Sequence, residues 1–304
     1  MTQHLSGVLT ALVTPFDHAG AVDEATLRRV VDRNIDGGVH GIVACGSTGE
    51  FTTLTGAERR LVVETVIDQA AGRVPVVAQT GAQSTAEAIE LSQHAEKAGA
   101  SVLMVVTPYY EPLSIEETKL YLRTVADSVS IPMMLYNLPV ATGVNMPPDF
   151  VGELAREVDN ILYVKDTTGD LAQAGKLIHH YGDVISTFVG WDSLLLAALV
   201  EGAAGVMAGT ANVFAADLVS IHDAISDREL DRARSEWERL YPLMDAIMSA
   251  PFVSALKAAL NATGLAVGNP RLPVLPLEPE AATDIVRLAS ALTTSPMSAP
   301  AAVG

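Results

Sequence analysis

The sequence predicts an α/β chain folded as a closed (β/α)8 barrel, the TIM-barrel architecture, with a C-terminal helical extension. Eight short apolar or β-branched runs recur at fairly even spacing, at Val8 to Val13, Gly41 to Ala44, Val74 to Ala78, Val102 to Val106, Pro132 to Tyr136, Ile161 to Val164, Val184 to Val189 and Gly205 to Met207. Nearly every gap between them carries apolar residues at helical spacing, so strands and helices alternate and the sheet is expected to be parallel. Runs such as Val102-Leu103-Met104-Val105-Val106 are apolar without alternation, the pattern of a strand covered on both faces. Eight such units in roughly 220 residues fit a closed barrel better than an open doubly wound sheet, which periodicity alone does not exclude.

Taken in order, the helical patterns run over Glu24 to Ile35, Ala57 to Ala70, Thr85 to Ala98 and Ile115 to Ser128, with Ser84 and Ser114 placed to cap the last two. The most apolar stretch, Ser193 to Gly209, is broken by Glu201, Gly202 and Gly205 and falls short of the ~20 apolar residues that cross a bilayer. It reads as a buried helix followed by a strand. Beyond the eighth unit only helical patterns remain, at Arg228 to Met248, Phe252 to Ala262 and Glu280 to Leu292, and the Pro-rich link Asn269 to Pro279 excludes an interior strand. The expected organisation is a barrel over 1–224, a helical extension over 225–294 and a disordered tail over 295–304, where Ser, Pro, Ala and Gly leave little to bury.

With 49% hydrophobic and 18% charged residues and a mean hydropathy of +0.30, the chain can bury a large core, which rules out disorder as its main state. Nineteen basic against thirty-six acidic residues leave a net charge of −17, which repels phosphate and anionic lipid. Neither a nucleic acid nor a membrane surface is expected as a partner. Cys45 is the only cysteine, so neither a disulfide within the chain nor a cysteine zinc site can staple the fold. Met1 to Gly7 lacks the basic flank and apolar run of a signal peptide, and the expected location is a reducing cytoplasm.

In a parallel barrel, catalytic groups gather where the strands end at their C-terminal side. Those ends read Gly46-Ser47-Thr48-Gly49-Glu50, Thr107-Pro108-Tyr109-Tyr110, Tyr136-Asn137, Lys165 through Asp170, and Gly190-Trp191-Asp192. Lys165 stands out, because the other four lysines, Lys97, Lys119, Lys176 and Lys257, fall within helical patterns while Lys165 alone ends an apolar strand. A lysine at a partly desolvated barrel mouth can offer a free amine to a carbonyl and form a Schiff base. The competing reading is a lysine paired with Asp166 or another acid of the mouth. The Gly46-Ser47-Thr48-Gly49 turn can aim amides and hydroxyls at a carboxylate, or it can simply cap the next helix; it lacks the Gly-Lys-Ser/Thr ending of a nucleotide-binding loop. Tyr136 can shuttle protons and Tyr110 can supply a second hydroxyl, or both can be amphipathic wall residues. Cys45 reads as a small buried hydrophobe. The seven histidines show no metal-binding spacing, and His179 and His180 sit side by side, so a metal-dependent aldolase is disfavoured and no metal, flavin or nucleotide cofactor is implied.

Together these segments, with Tyr136-Asn137-Leu138-Pro139, Thr142-Gly143, Gly202 to Met207 and Ala211-Asn212-Val213, resemble the dihydrodipicolinate synthase and N-acetylneuraminate lyase family of pyruvate-dependent class I aldolases. The resemblance spans nearly the whole chain. It implies that Lys165 is the Schiff-base lysine, Tyr136 the proton shuttle, and Ser47 and Thr48, with Gly46 before them, the carboxylate and relay groups. It further implies that Tyr110 reaches a neighbouring subunit's site in a homotetramer, and that Thr167, Gly190 and Met207 line the substrate pocket. The chain departs from both named branches: Ala141 stands where the lysine-pathway synthases carry an arginine for the second substrate's carboxylate, and Ser193 and Gly209 replace polyol-binding positions of the neuraminate lyases. The expected function is a lyase acting on pyruvate or a pyruvate-derived 2-oxo acid, such as a 2-keto-3-deoxy sugar acid, with 4-hydroxy-tetrahydrodipicolinate synthase as the alternative. A barrel that holds a small acid without turnover is the rival from another class.

Overall fold

Eight parallel strands close on themselves in chain order, from β1 (Gly7–Ala11) and β2 (Gly41–Ala44) through β3 (Val76–Gln79), β4 (Val102–Val106), β5 (Met133–Asn137), β6 (Ile161–Asp166) and β7 (Ser186–Val189) to β8 (Gly205–Ala208). Pairing of Val8 with Val206 and Leu9 with Met207 seals the barrel, which settles closure against the open sheet. The computed structural model describes residues 4–294. The tail expected at 295–304 lies outside the described residues.

The helices are α1 (Glu24–Asp36), α2 (Gly56–Ala70), α3 (Thr85–Ala98), α4 (Ile115–Ala126), α5 (Pro139–Thr142), α6 (Pro148–Glu157), α7 (Leu171–Tyr181), α8 (Leu195–Glu201), α9 (Ala211–Ser226), α10 (Leu230–Met248), α11 (Phe252–Ala262) and α12 (Pro279–Thr294). The caps expected from the sequence are in place: the Ser84 hydroxyl accepts from Glu87 N–H, and Ser114 and Glu117 form a reciprocal capping box. No helix among the described residues is long and apolar enough to cross a membrane.

Helix ends shift by one or two residues from the sequence expectation, α4 stopping at Ala126 and α10 starting at Leu230, and the differences at strand ends have local causes. The third strand starts at Val76 rather than Val74, because Pro75 has no N–H to give a ladder, although its carbonyl accepts from Ile42 N–H. The seventh starts at Ser186 because the amides of Val184 and Ile185 turn back to Tyr181 O and close α7. The first stops at Ala11, where the Asn212 side chain takes over: its Nδ2 donates to Ala11 O and Gly209 O, and its Oδ1 accepts from Val13 N–H. Asn212 thereby ties the end of β1 to the turn after β8.

Fully buried Leu9, Leu103, Met104, Met133, Leu135 and Phe188 belong to one continuous core. At full burial each such side chain is worth ~1.5–3 kcal/mol over exposure. That packing makes the strand ends a rigid platform for the groups above it.

Candidate active site

The strand-end groups converge on one cavity of about 360 Å³ at the C-terminal mouth of the barrel. Ser47, Thr48, Tyr136, Lys165, Thr167, Gly190 and Met207 all line it, and Gly46 begins the turn that carries the first two. Tyr110 does not join them in its own chain: it lies on the loop after β4 and is 85% exposed.

β5 and β6 pair so that Tyr136 faces Lys165 and Asn137 faces Asp166. Lys165, 5% exposed, places its Nζ 4.2 Å from the centre of the Tyr136 ring, and the Tyr136 hydroxyl lies 3.2 Å from Ser47 Oγ, where either oxygen can donate. Ion pairs occupy Lys119 and Lys257, and none occupies Lys165 among the described residues. Asp166, the partner offered by the competing reading, turns instead to Thr168, whose N–H and hydroxyl both donate to it, and to the Asn137 amide. Burial pushes the Asp166 carboxyl up to about 6, against the pull of the Thr168 and Asn137 bonds. Asp192, also at the cavity, accepts from Thr210 N–H and Oγ1–H, each at 2.7 Å, and burial raises its pKa as well.

The turn after β2 is closed by Gly49 N–H to Gly46 O and Glu50 N–H to Ser47 O. The amides of Ser47 and Thr48 have no acceptor among the described residues, so two adjacent donors and two hydroxyls remain available to an anion. Cys45, just before, is 1% exposed with its thiol pushed up to about 12 by burial, which leaves it unreactive. Gly190 is required by space: a Cβ there would stand 2.3 Å from Thr167 Oγ1 and 2.4 Å from Lys165 Cε. The buried Thr167 hydroxyl has no hydrogen-bond partner among the described residues and faces this crowded point.

One wall of the cavity is not foreseen in the sequence. Met248 at the end of α10 and Phe252 and Val253 at the start of α11 also line it, beside Leu138 and the Trp191 that the sequence already places at a strand end. Nothing in their helical patterns distinguishes a residue facing the mouth from one facing another helix. A smaller cavity of about 250 Å³ adjoins through Ser47 and Leu138 and is lined by Tyr109, Phe51 and Ala141 among others. A larger cavity, about 840 Å³, lies away from the strand-end groups, between the loop around His18 and the Gly268–Leu272 segment. At the opposite end of β1, His40, His222 and Asp223 come within 4.8 Å of one another, a cluster that spacing could not show. It suits a metal poorly, because His40 Nδ1 accepts from Val8 N–H and the neutral ring therefore carries its proton on Nε2.

A buried lysine with no ion pair among the described residues, a phenol beside it and a turn with two free amides, all at the mouth of a (β/α)8 barrel, fit the enzyme class that the family defines, a carbon–carbon or carbon–oxygen lyase of the class I aldolase type. The family model described as "Dihydrodipicolinate synthetase family" matches residues 4–292, and the chain belongs to that family. It is 44% identical over 275 residues to the 4-hydroxy-tetrahydrodipicolinate synthase of Pelobacter propionicus, covering 89% of this chain and 93% of that protein. Among solved structures, dihydrodipicolinate synthase from Aquifex aeolicus superposes with a TM-score of 0.90 at 32% identity, over 95% of this chain and 97% of that one. The chloride-inhibited dihydrodipicolinate synthase from Acinetobacter baumannii, complexed with pyruvate, gives 0.90 at 31% identity, over 95% of this chain and all of that one (100%).

Proposed function

We propose that the enzyme joins pyruvate, or the pyruvate half of a longer 2-oxo acid, to Lys165 as a Schiff base. The observation that carries this is the burial of Lys165 at the mouth against the Tyr136 ring, with no ion pair among the described residues. The free amine attacks the keto carbon, and loss of water from the adduct leaves an iminium. Removal of a proton from the neighbouring methyl carbon then gives an enamine that can add to an aldehyde; run backwards, the same steps cleave the adduct. Tyr136 moves the protons in company with Ser47, and the Ser47 and Thr48 amides and hydroxyls receive the carboxylate. Thr167 and the Gly190 backbone border the covalent centre, and Met207 lines the pocket.

The partner's far end is uncharged in this reading. Trp191, Leu138, Met248, Phe252 and Val253 form the outer wall, Ala141 stands in the adjoining cavity, and Asp192 is already satisfied by Thr210. Among the described residues no arginine or second lysine lines either cavity, so no cationic side chain there pairs with a second carboxylate. Tyr110 acts in the site of a neighbouring copy within a homotetramer, which its 85% exposure supports. A chain whose one cysteine is buried and unpaired suits the cytoplasm.

A second reading is 4-hydroxy-tetrahydrodipicolinate synthase itself, favoured by the name of the Pelobacter propionicus relative. A product assay with pyruvate and a panel of aldehydes, run beside cleavage of 2-keto-3-deoxy sugar acids, tests the proposal. Turnover of any of them supports a lyase, and bound pyruvate with no turnover of any leaves only a barrel that holds the acid.

A further inference from the structure

Lys257 on α11 is 1% exposed, yet its ammonium stands 2.6 Å from Glu50 Oε1, which is buried as well. The same ammonium donates to Asn269 O at 3.1 Å and lies 4.2 Å from the centre of the Phe16 ring. Glu50 Oε2 accepts from the Arg271 backbone N–H at 2.8 Å. Arg271 is fixed in turn by Glu58 at 2.7 Å and by the carbonyls of Gly20 and Thr53. A buried ion pair gives little net stability after its desolvation cost, so stability alone does not account for its presence.

The reason lies in what Glu50 terminates. Glu50 closes the Gly46–Glu50 turn with φ of 56°, and Cys45 opens it with φ of 58°, both in the left-handed region that non-glycine residues hold only when their surroundings enforce it. Thr14 Oγ1 adds a bond to Gly49 O at 2.7 Å. Between these anchors sit Ser47 and Thr48. Neither Glu50 nor Lys257 lines the cavity, but Phe252 and Val253, at the start of the same helix as Lys257, do.

We propose that Glu50 and Lys257 are positioning residues for the reaction: their buried pair, locked by Arg271, holds the Ser47–Thr48 turn in the shape that receives the substrate carboxylate. The C-terminal extension is then part of the active site. This rests on the carboxylate-binding role given to the turn above. A misplacement of the turn by about 1 Å is enough to cost up to ~100-fold.

The experiment measures pyruvate dependence of borohydride trapping, steady-state kinetics and thermal unfolding for the wild type, Glu50→Gln, Lys257→Met, the Glu50→Gln/Lys257→Met double variant and Glu50→Asp. Each single variant strands a buried charge or breaks its bonds and loses stability. The double variant leaves no orphan charge and regains much of that stability, yet we expect its half-saturating pyruvate concentration to stay roughly 10- to 100-fold above wild type, with a smaller loss of kcat because Ser47 rides on the same turn. Glu50→Asp keeps the charge on a shorter arm and gives a smaller rise, so it reports even if the others fail to fold. Wild-type pyruvate dependence in a folded double variant, or in Glu50→Asp should the double not fold, would overturn the proposal and leave Lys165 chemistry standing. Absence of any pyruvate adduct in the wild type would instead overturn the Schiff-base reading, and this proposal with it.

Discussion

Tyr136 and Lys165 are register partners on adjacent strands, and the lysine nitrogen stands 4.2 Å from the centre of the tyrosine ring. The relationship is set by backbone pairing, because each residue comes from a strand locked on both sides within the barrel. The sheet itself therefore fixes the tyrosine ring against the amine, with no loop between them.

Tyr136→Phe is therefore expected to lower kcat by ~10²–10⁴-fold, the usual worth of one acid/base group, while the half-saturating pyruvate concentration changes little. The ring still fills its place beside Lys165, and only the hydroxyl that meets Ser47 Oγ is lost. Steady-state kinetics separate the outcomes: lost affinity with normal kcat would make Tyr136 a wall residue.

Gly190→Ala should block the site although Lys165 itself is not substituted. The added methyl would press on Thr167 Oγ1 and Lys165 Cε at 2.3 and 2.4 Å, distances that force one of them to move. Overpacking of this kind costs ~1–3 kcal/mol of stability. Pyruvate trapping by the variant should fall well below wild type while circular dichroism still reports a folded barrel, and undiminished trapping would show that the pocket is looser than its contacts indicate.

Asp166 makes stability depend on pH. Burial, the largest influence, with Asp170 adding to it, raises its carboxyl from 3.8 to about 6, so the folded chain binds that proton more tightly than the unfolded one. The associated stability is complete below about pH 4 and is lost as pH rises through 6. Asp166→Asn cannot ionise and keeps an acceptor for Thr168 N–H, so it should be more stable than wild type at pH 7, by on the order of 3 kcal/mol, with the gap closing toward pH 4. Urea unfolding across that range checks this; parallel curves for the two proteins would contradict it.

Aspartate semialdehyde should be a poor partner for pyruvate. Ala141 cannot give the paired, charge-assisted bonds that an arginine gives a carboxylate, worth ~1.5–3 kcal/mol or roughly 10- to 150-fold in binding. Aldehydes with uncharged far ends should be used more efficiently, as measured by kcat/KM. Efficient condensation with aspartate semialdehyde alone would mean that another group has replaced the arginine and that the second reading is correct.

The strands and most helices are legible in the sequence because each carries its own periodicity. Lys165 is legible because a lysine that ends an apolar strand of a parallel barrel must sit at the mouth, where the other strand ends gather. Lys257 is not: within α11 it looks like any helical lysine, and its burial depends on Glu50, more than 200 positions earlier, folding beneath it. Met248 and Phe252 are hidden for the same reason, since helical spacing shows an apolar face but not what that face covers. The freedom of the Ser47 and Thr48 amides also emerges only in three dimensions, because the sequence of the turn suits a helix cap equally well.

The Schiff-base role of Lys165 is tested most directly by borohydride reduction of the enzyme in the presence of pyruvate, followed by peptide mass mapping, with Lys165→Ala alongside. The expected result is one reduced-pyruvate adduct per chain, located on Lys165, and a folded Lys165→Ala variant that neither traps pyruvate nor turns over. An adduct on Lys97, Lys119 or Lys176 in place of Lys165, or full activity in the Lys165→Ala variant, would contradict it.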